Sequence, residues 1–579
     1  VRNDISVRIA GEGGEGVIST AEILTRAAVD SGLDVFTFRS YPAEIKGGLA
    51  MMQVRMSTES LTSIGRDADV LMAFNQEAID VWAGRMNPGG VLLYDPKHGT
   101  VPVDYPHAHI QIPLHETAMK ETGARIAKNI VALASLMNVL DIPSHFARDL
   151  VTKQFKRKGE EVVATNLKAF DAGLNALNGD ARLQNMKLAR PASAARVGDR
   201  MIISGNQSLS MGAIAAGCSF VAGYPITPAT QVLEFMMKHL PAFGGNVVQA
   251  EDEIAAISAC LGASWAGAKA MTATSGPGLS LMSEMIGMGS MCEIPVVIAD
   301  VMRSGPATGM PTKTEQSDLM YAIHGSAGES PRIVIAATSV EDCFYATVRA
   351  FNLAERFQMP VILLSDQSMG YRTKTVDRPH AHDLHIEQRV RANGDGSEEF
   401  RRFADTESGV SPTMVPGTSE STYVTTGLEH DEFGHASYTP ENRARMVAKR
   451  YRKLETLRHE LETQGDGVFD EPAGAEIGVI GWGSTEGTIG EVVQKLRNDG
   501  IKVAQYHPHV LNPLPVALVN KFLAPLKKVI VLEENYTGLL AQHLRTQVDF
   551  GKTELVRINQ CSGLPFTPDE VQAAIAQHA

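Results

Sequence analysis

The sequence predicts an α/β protein made of three consecutive α/β domains. Three observations lead there. A chain of 579 residues has room for roughly three or four separate cores. A composition of 44% hydrophobic and 21% charged residues is that of an ordinary globular protein. Apolar strand-like runs alternate with helix-period segments in three stretches, and the connections between them are polar or rich in Ala, Pro and Ser.

The first stretch, residues 1–185, sets the strands VRIA, DVFTF, VLMAF and GVLLYD between helical segments, the pattern of a parallel α/β domain. Residues 186–200, with LARPASAARVGDR, read as a linker. Residues 201–440 carry the buried-looking strands SFVAGYP, AMTATS, PVVIADV and PVILLSD. Between Gln367 and His435 this domain turns polar and Gly/Pro-rich, a long excursion over a surface or into a partner. Residues 441–475 hold the amphipathic helix NRARMVAKRYRKLETLRHELET and a second connection. The third domain, 476–579, opens with EIGVIGWGSTEG and continues through KVAQYHP and KVIVLEEN.

Composition narrows the function. A formal net charge of -13 speaks against generic attraction to nucleic acid. Without an apolar run of about 20 residues or a charged leader ahead of an apolar block, the chain reads as cytoplasmic, with no membrane association. Cys218, Cys260, Cys292, Cys343 and Cys561 are widely spaced, with no C-x-x-C, which disfavours a cluster or zinc site within this chain. His380, His382 and His385 of PHAHDLH lie in a polar, irregular segment and read as solvated loop rather than metal ligands.

In VRIAGEGGEGV, which begins at Val7, Gly11, Gly13 and Gly16 have the spacing of a dinucleotide fingerprint. The flanking strand and the helix VISTAEILTRAAVDSG suit it. The acid required at the end of the next strand does not appear, because DVFTFRSY has Asp34 at its start and Arg39 toward its end. The glycines alone report a tight turn able to hold a phosphate, and NAD stays an alternative.

Chemistry collects in three loops of the second domain, each after a strand, where ligands of open α/β sheets gather. In GYPITPAT, Thr227 and Pro228 make a plausible helix N-cap and N1 pair, or a rigid support for a hydroxyl aimed at a ligand. In QAEDEIAAISACLGASWAG, the acids Glu251, Asp252 and Glu253 occupy the first turn of a helix, where compensation of the macrodipole explains them equally well. In VMRSGPATGMPTKTEQSD, Arg303, Thr312 and Lys313 bring positive charge and a hydroxyl into a Gly/Pro-shaped loop, which could also be a plain surface turn.

Together GYPITPAT, EDEIAAI, TATSGPG and RSGPATGMPT resemble the α subunit of 2-oxoacid:ferredoxin oxidoreductases, particularly the branch acting on 2-oxoglutarate. GEGGEGV with YPAEIKGG is similar to that family's γ domain, fused here ahead of α. The resemblance implies a γ-type domain, a pyrimidine-side thiamine diphosphate domain and a transketolase C-terminal-like domain. It makes NAD binding or a non-catalytic scaffold the minor alternative. The implied reaction takes 2-oxoglutarate, coenzyme A and oxidised ferredoxin to succinyl-CoA, carbon dioxide and reduced ferredoxin, or runs in reverse as a carboxylation. Pyruvate and branched-chain or aryl 2-oxoacids are the alternative substrates.

GDG occurs at Gly394 and Gly465 without the Asn pair that follows in a diphosphate-side domain. The resemblance therefore assigns the diphosphate contacts, Mg2+ and a [4Fe-4S] cluster to a separate β subunit, in an (αβ)2 assembly that reduces ferredoxin. Carried over residue by residue, it implies that Glu253 activates the aminopyrimidine of thiamine diphosphate, with Glu251 as the other candidate, and that Tyr224, Pro225 and Ile226 border the cofactor. Thr227 and Arg303 bind the reacting end of the 2-oxoacid, Thr312 adds a hydroxyl, and Lys46 meets the distal carboxylate, since an unpaired buried carboxylate is costly.

Overall fold

The computed structural model describes every residue except 43–46, 178, 191–199, 393–399, 418–422 and 579. Strands run in chain order β1 (Asp4–Glu12), β2 (Asp34–Ser40), β3 (Leu49–Ser57), β4 (Ala68–Ala73), β5 (Met86–Tyr94), β6 (Ala108–Gln111) and β7 (Arg200–Ser204). Next come β8 (Phe220–Gly223), β9 (Asn246–Gln249), β10 (Ala270–Thr274), β11 (Val296–Met302), β12 (Ile333–Ala336), β13 (Pro360–Asp366) and β14 (Thr373–Asp377). The last are β15 (Val468–Asp470), β16 (Ile477–Ile480), β17 (Val503–His507), β18 (Val510–Asn512), β19 (Lys528–Glu533) and β20 (Glu554–Asn559).

They form three sheets, of order β6-β5-β4-β1-β3-β2-β14-β7, β18-β12-β13-β11-β10-β8-β9 and β15-β17-β16-β19-β20. The chain divides into two compact units. One holds Val1–Ile203 with Tyr371–Arg378 and Thr567–Glu570; the other holds Ser204–Gly370, Pro379–Phe566 and Val571–Ala579. No helix among the described residues is long and apolar enough to cross a membrane.

In the first unit the eight-stranded sheet is mixed, where the strand–helix alternation suggests a parallel one. The run LAMMQVRMS, which the sequence pattern leaves unassigned, becomes β3 and pairs antiparallel with both β1 and β2. Its apolar side chains are buried on both faces, as in a central strand. The glycine turn is built as expected: Gly16, at φ 86°, ends the turn before helix Val17–Asp30, and a Cβ there would press on Asn129 at 2.4 Å.

In the second unit, the central sheet is parallel except at its edge, where β18 pairs antiparallel with β12. Alternation along β11 sends Val297, Ala299 and Val301 into one apolar layer and Val296, Ile298 and Met302 into the other. The polar excursion is followed by helix Pro440–Gln464. Thr439 caps it by accepting from the Asn442 amide, and Pro440 fills the first turn, where its missing N–H costs nothing. Lys449 and Lys453 on this helix both reach the buried carboxylate of Glu293 at 2.6 Å.

Candidate functional site

The three chemistry-bearing loops leave the carboxyl ends of β8, β9 and β11 of the seven-stranded sheet, and the turn after β10 lies in the same row. After β8, Tyr224 is exposed while Pro225, Ile226 and Thr227 are half-buried. The Thr227–Pro228 peptide is cis. The side chain of Asn206 donates a 3.0 Å hydrogen bond to the Pro228 carbonyl. The following helix, Thr230–His239, starts later than the sequence suggests: Ala229 is its cap, so Thr227 and Pro228 are not the N-cap and N1 pair. That removes the capping explanation for Thr227.

The acidic trio divides by position. Asp252 is the N-cap of helix Glu253–Trp265 and accepts from the Ala255 amide at 2.7 Å. Glu251 is exposed, whereas Glu253, the first helical residue, is 5% exposed. No hydrogen-bond donor among the described residues reaches the Glu253 carboxylate. A Cβ on Gly278 would stand 2.6 Å from Glu253 Oε1 and 2.1 Å from Thr274 Oγ1, so only glycine lets this turn close over both groups. On β10 and the turn after it, the Thr272, Thr274 and Ser275 hydroxyls are buried without hydrogen-bond partners among the described residues. A buried carboxylate lined by unsatisfied hydroxyls is costly unless an external group completes it, and the donor set suits a nitrogen heterocycle with exchangeable protons.

Arg303 follows β11. Its Nη1 donates to the Thr227 carbonyl at 2.7 Å, which ties the first loop to the third. Its Nε is buried without a hydrogen-bond partner among the described residues. Burial lowers the pKa of this guanidinium, while the charge of Asp318 opposes that shift. The loop folds back on itself: the Ser304 amide donates to the Lys313 carbonyl at 3.0 Å, and the Ser304 hydroxyl to Glu315 at 2.6 Å. Thr312 is buried in this loop. Gln316, which sequence reasoning passes over, donates to the Trp482 carbonyl at 2.7 Å and accepts from the Glu534 amide at 2.9 Å. Lys46 lies outside the described residues, as does the GDG at Gly394.

Two further acids belong to this neighbourhood. Asp300 occupies the alternating position on β11 between Ile298 and Met302, level with Thr274 of β10. Its neighbour Asp318 caps the far end of the Arg303 loop. The legible signal for Asp300 was an acid inside the apolar strand PVVIADV.

Comparison with known proteins places this arrangement. A model described as pyruvate flavodoxin/ferredoxin oxidoreductase, thiamine diphosphate-binding, matches residues 211–449. Residues 6–176 match a pyruvate ferredoxin/flavodoxin oxidoreductase model, and 475–571 match core domain II of pyruvate:ferredoxin oxidoreductase. The α subunit of 2-oxoacid:ferredoxin oxidoreductase 2 from Aeropyrum pernix is 31% identical, over 99% of this chain and 97% of its own length. The chain belongs to the 2-oxoacid:ferredoxin oxidoreductase family.

Within that family, subunit KorA of a 2-oxoglutarate oxidoreductase from Mycobacterium tuberculosis is 34% identical over 98% of this chain and 90% of the relative. A solved 2-oxoglutarate:ferredoxin oxidoreductase from Magnetococcus marinus, with 2-oxoglutarate, coenzyme A and succinyl-CoA bound, superposes with a TM-score of 0.93. It is 42% identical and each chain is covered in full. As a member of the 2-oxoacid:ferredoxin oxidoreductases the chain is an oxidoreductase component, and the thiamine-binding match spans all three loops, Tyr224 to Thr312. A family match over 6–176 also covers the glycine turn of the first unit. There Arg39 still stands near the end of β2 where an NAD site needs an acid, its guanidinium 4.3 Å from the Tyr371 ring.

Proposed function

We propose that this chain is the α subunit of a 2-oxoglutarate:ferredoxin oxidoreductase, which converts 2-oxoglutarate and coenzyme A to succinyl-CoA and carbon dioxide and passes two electrons to ferredoxin, or catalyses the reverse carboxylation. The supporting observation is the full-length likeness to an enzyme solved with 2-oxoglutarate, coenzyme A and succinyl-CoA. Thiamine diphosphate, when bound, supplies the carbanion and the electron sink. The protein's own task is to hold protons and charges around it.

Glu253 is the residue for the pyrimidine edge, because its carboxylate is buried and has no donor among the described residues, whereas Glu251 faces solvent. With the cofactor bound, the Glu253 carboxyl would hold and exchange a proton at that edge. Tyr224, Pro225 and Ile226 would border the cofactor. Arg303 pairs the C1 carboxylate of the 2-oxoacid, using the buried Nε that no described protein group engages. The Thr227 hydroxyl donates to the carboxylate or keto oxygen, and Thr312 adds a second hydroxyl. Lys46 takes the distal carboxylate. Mg2+, the diphosphate contacts and a [4Fe-4S] cluster belong to a β subunit, in a cytoplasmic (αβ)2 enzyme that hands electrons to ferredoxin.

Co-expression with a β subunit, followed by a screen of 2-oxoacids for coenzyme A-dependent reduction of a viologen dye, tests the proposal. Highest kcat/KM with 2-oxoglutarate is expected. Preference for pyruvate or a branched-chain or aryl acid would replace the substrate, and no turnover with any 2-oxoacid would remove the proposal.

A further inference from the structure

The carboxyl groups of Asp300 and Asp318 lie within hydrogen-bonding reach of each other, Asp318 feels the charge of Arg303, and the pair takes no part in the roles above. Both Asp300 oxygens and Asp318 Oδ2 are buried without a hydrogen-bond donor from any other described residue, an arrangement two ionised carboxylates cannot keep. Asp300 shares its face of β11 with the apolar Ile298 and Met302, and the charge acting on it is that of Asp318 rather than a cation. Asp318 is better supplied: the Ser317 hydroxyl lies 3.1 Å from its Oδ1 and 3.0 Å from the Arg303 carbonyl. A Cβ on Gly276 would come within 3.1 Å of Asp318 Oδ2, so the pair sits directly beneath the turn that closes over Glu253.

The charged groups facing the pair are Arg303 and Glu315 on its own loop and, across that turn, Glu253. Glu315 is engaged by the Ser304 hydroxyl. Arg303 makes no ion pair among the described residues; its hydrogen-bond partner is the Thr227 carbonyl.

We propose that Asp300 and Asp318 are positioning residues for the Arg303 anion site: Asp300 keeps a proton and donates it to Asp318, so the pair carries one negative charge rather than two. With a charge of -1, Asp318 can anchor the loop through Ser317 without drawing the guanidinium away from the substrate carboxylate. A second charge would make the pair a competing anion. Burial first, and then the neighbouring Asp318, raise Asp300 well above the usual carboxylate range, while burial pushes Asp318 up to about 6. These are titrations of the pair rather than of either residue alone. The inference rests on Arg303 as the site of the C1 carboxylate.

The test is the pH dependence of KM for the 2-oxoacid in the assembled enzyme. In the wild type, loss of the shared proton as the pH is raised should increase KM about tenfold, the equivalent of one pKa unit of interaction. Asp300→Asn cannot lose that proton, and its amide still donates to Asp318. Its KM should stay within about twofold over the same pH change. A rise in KM with pH that survives Asp300→Asn would overturn the proposal. Infrared spectroscopy covers the case in which the variant fails to fold: a protonated-carboxyl band should persist at neutral pH in the assembled Glu253→Gln enzyme, and its absence would overturn the shared proton. Arg303→Ala separates the two layers. If it leaves KM unchanged, the reading of Arg303 fails; if it raises KM while Asp300→Asn keeps the wild-type profile, only the carboxyl pair fails.

Discussion

The Arg303 guanidinium donates a 2.7 Å hydrogen bond to the Thr227 carbonyl. Residues 76 positions apart are thereby held as one wall. In Arg303→Ala that carbonyl loses its partner and the proposed anion site loses its charge. kcat/KM should fall for every 2-oxoacid, by a few kcal/mol, as when one partner of a buried charge pair is truncated. Steady-state kinetics with 2-oxoglutarate and pyruvate check this. Equal losses on both acids are expected here, in contrast to Lys46→Ala, where only 2-oxoglutarate should suffer if Lys46 holds the distal carboxylate.

Glu253→Gln should act mainly on turnover. Removal of a general acid/base costs about 100- to 10,000-fold, whereas exposed Glu251→Gln should stay near wild type. The comparison of kcat for the two variants decides which acid serves the cofactor, since a collapse in Glu251→Gln alone would exchange their roles.

Gly278→Ala should resemble Glu253→Gln without touching an ionisable group. Its methyl would overlap Thr274 Oγ1 and Glu253 Oε1, and the carboxylate must move. A loss of kcat together with a lowered Tm is expected, since overpacking typically costs about 1–3 kcal/mol; an unchanged kcat in the folded variant would mean that the position of Glu253 is not critical.

Glu293→Gln should destabilise the chain strongly, because Lys449 and Lys453 are buried against that carboxylate. Breaking a buried ion pair on one side typically costs about 3–5 kcal/mol. Urea denaturation of the purified chain measures it, and a change below about 1 kcal/mol would mean that the two lysines are neutral in the folded state.

Stability should fall on mild acidification. Burial lowers both His507 and His543 to about 4. Above about pH 6.5 each imidazole is neutral in both states, and the stability is intact. As pH falls from about 6.5 toward 4 the unfolded chain binds protons that the folded chain refuses, and stability drops by roughly 3 kcal/mol per histidine at most. Urea midpoints near pH 7 and near pH 5 should differ, and His543→Gln, which can still donate to the Leu511 carbonyl contacted by His543 Nε2, should flatten the slope.

The long helix from Pro440 was legible because its periodicity reflects one local environment repeated along the chain, and PVILLSD because it is a short unbroken apolar run. LAMMQVRMS was not, because Gln53 and Arg55 interrupt its apolar run and a strand buried on both faces has no alternation to reveal it. The loops with Thr227, Glu253 and Arg303 stood out through their glycines, prolines and charges. Their junctions did not: the Thr227–Arg303 hydrogen bond, the Gln316 contacts to Trp482 and Glu534, and the Asp300–Asp318 pair join residues distant in sequence, and only the folded sheet brings them together.

The place of β14 has a consequence for biosynthesis. This strand lies between β2 and β7 in the eight-stranded sheet, with the Thr373 amide donating to Thr37 Oγ1 at 2.8 Å, yet it is made about 170 residues after β7. At the roughly 5–20 residues per second of a ribosome, the nascent sheet waits on the order of 10–30 s with a gap where β14 belongs. Unpaired strand edges are templates for wrong pairing. The emerging polypeptide should therefore depend on chaperones during that interval, and slowing translation between the codons for Ser204 and Thr373 should lower the soluble yield.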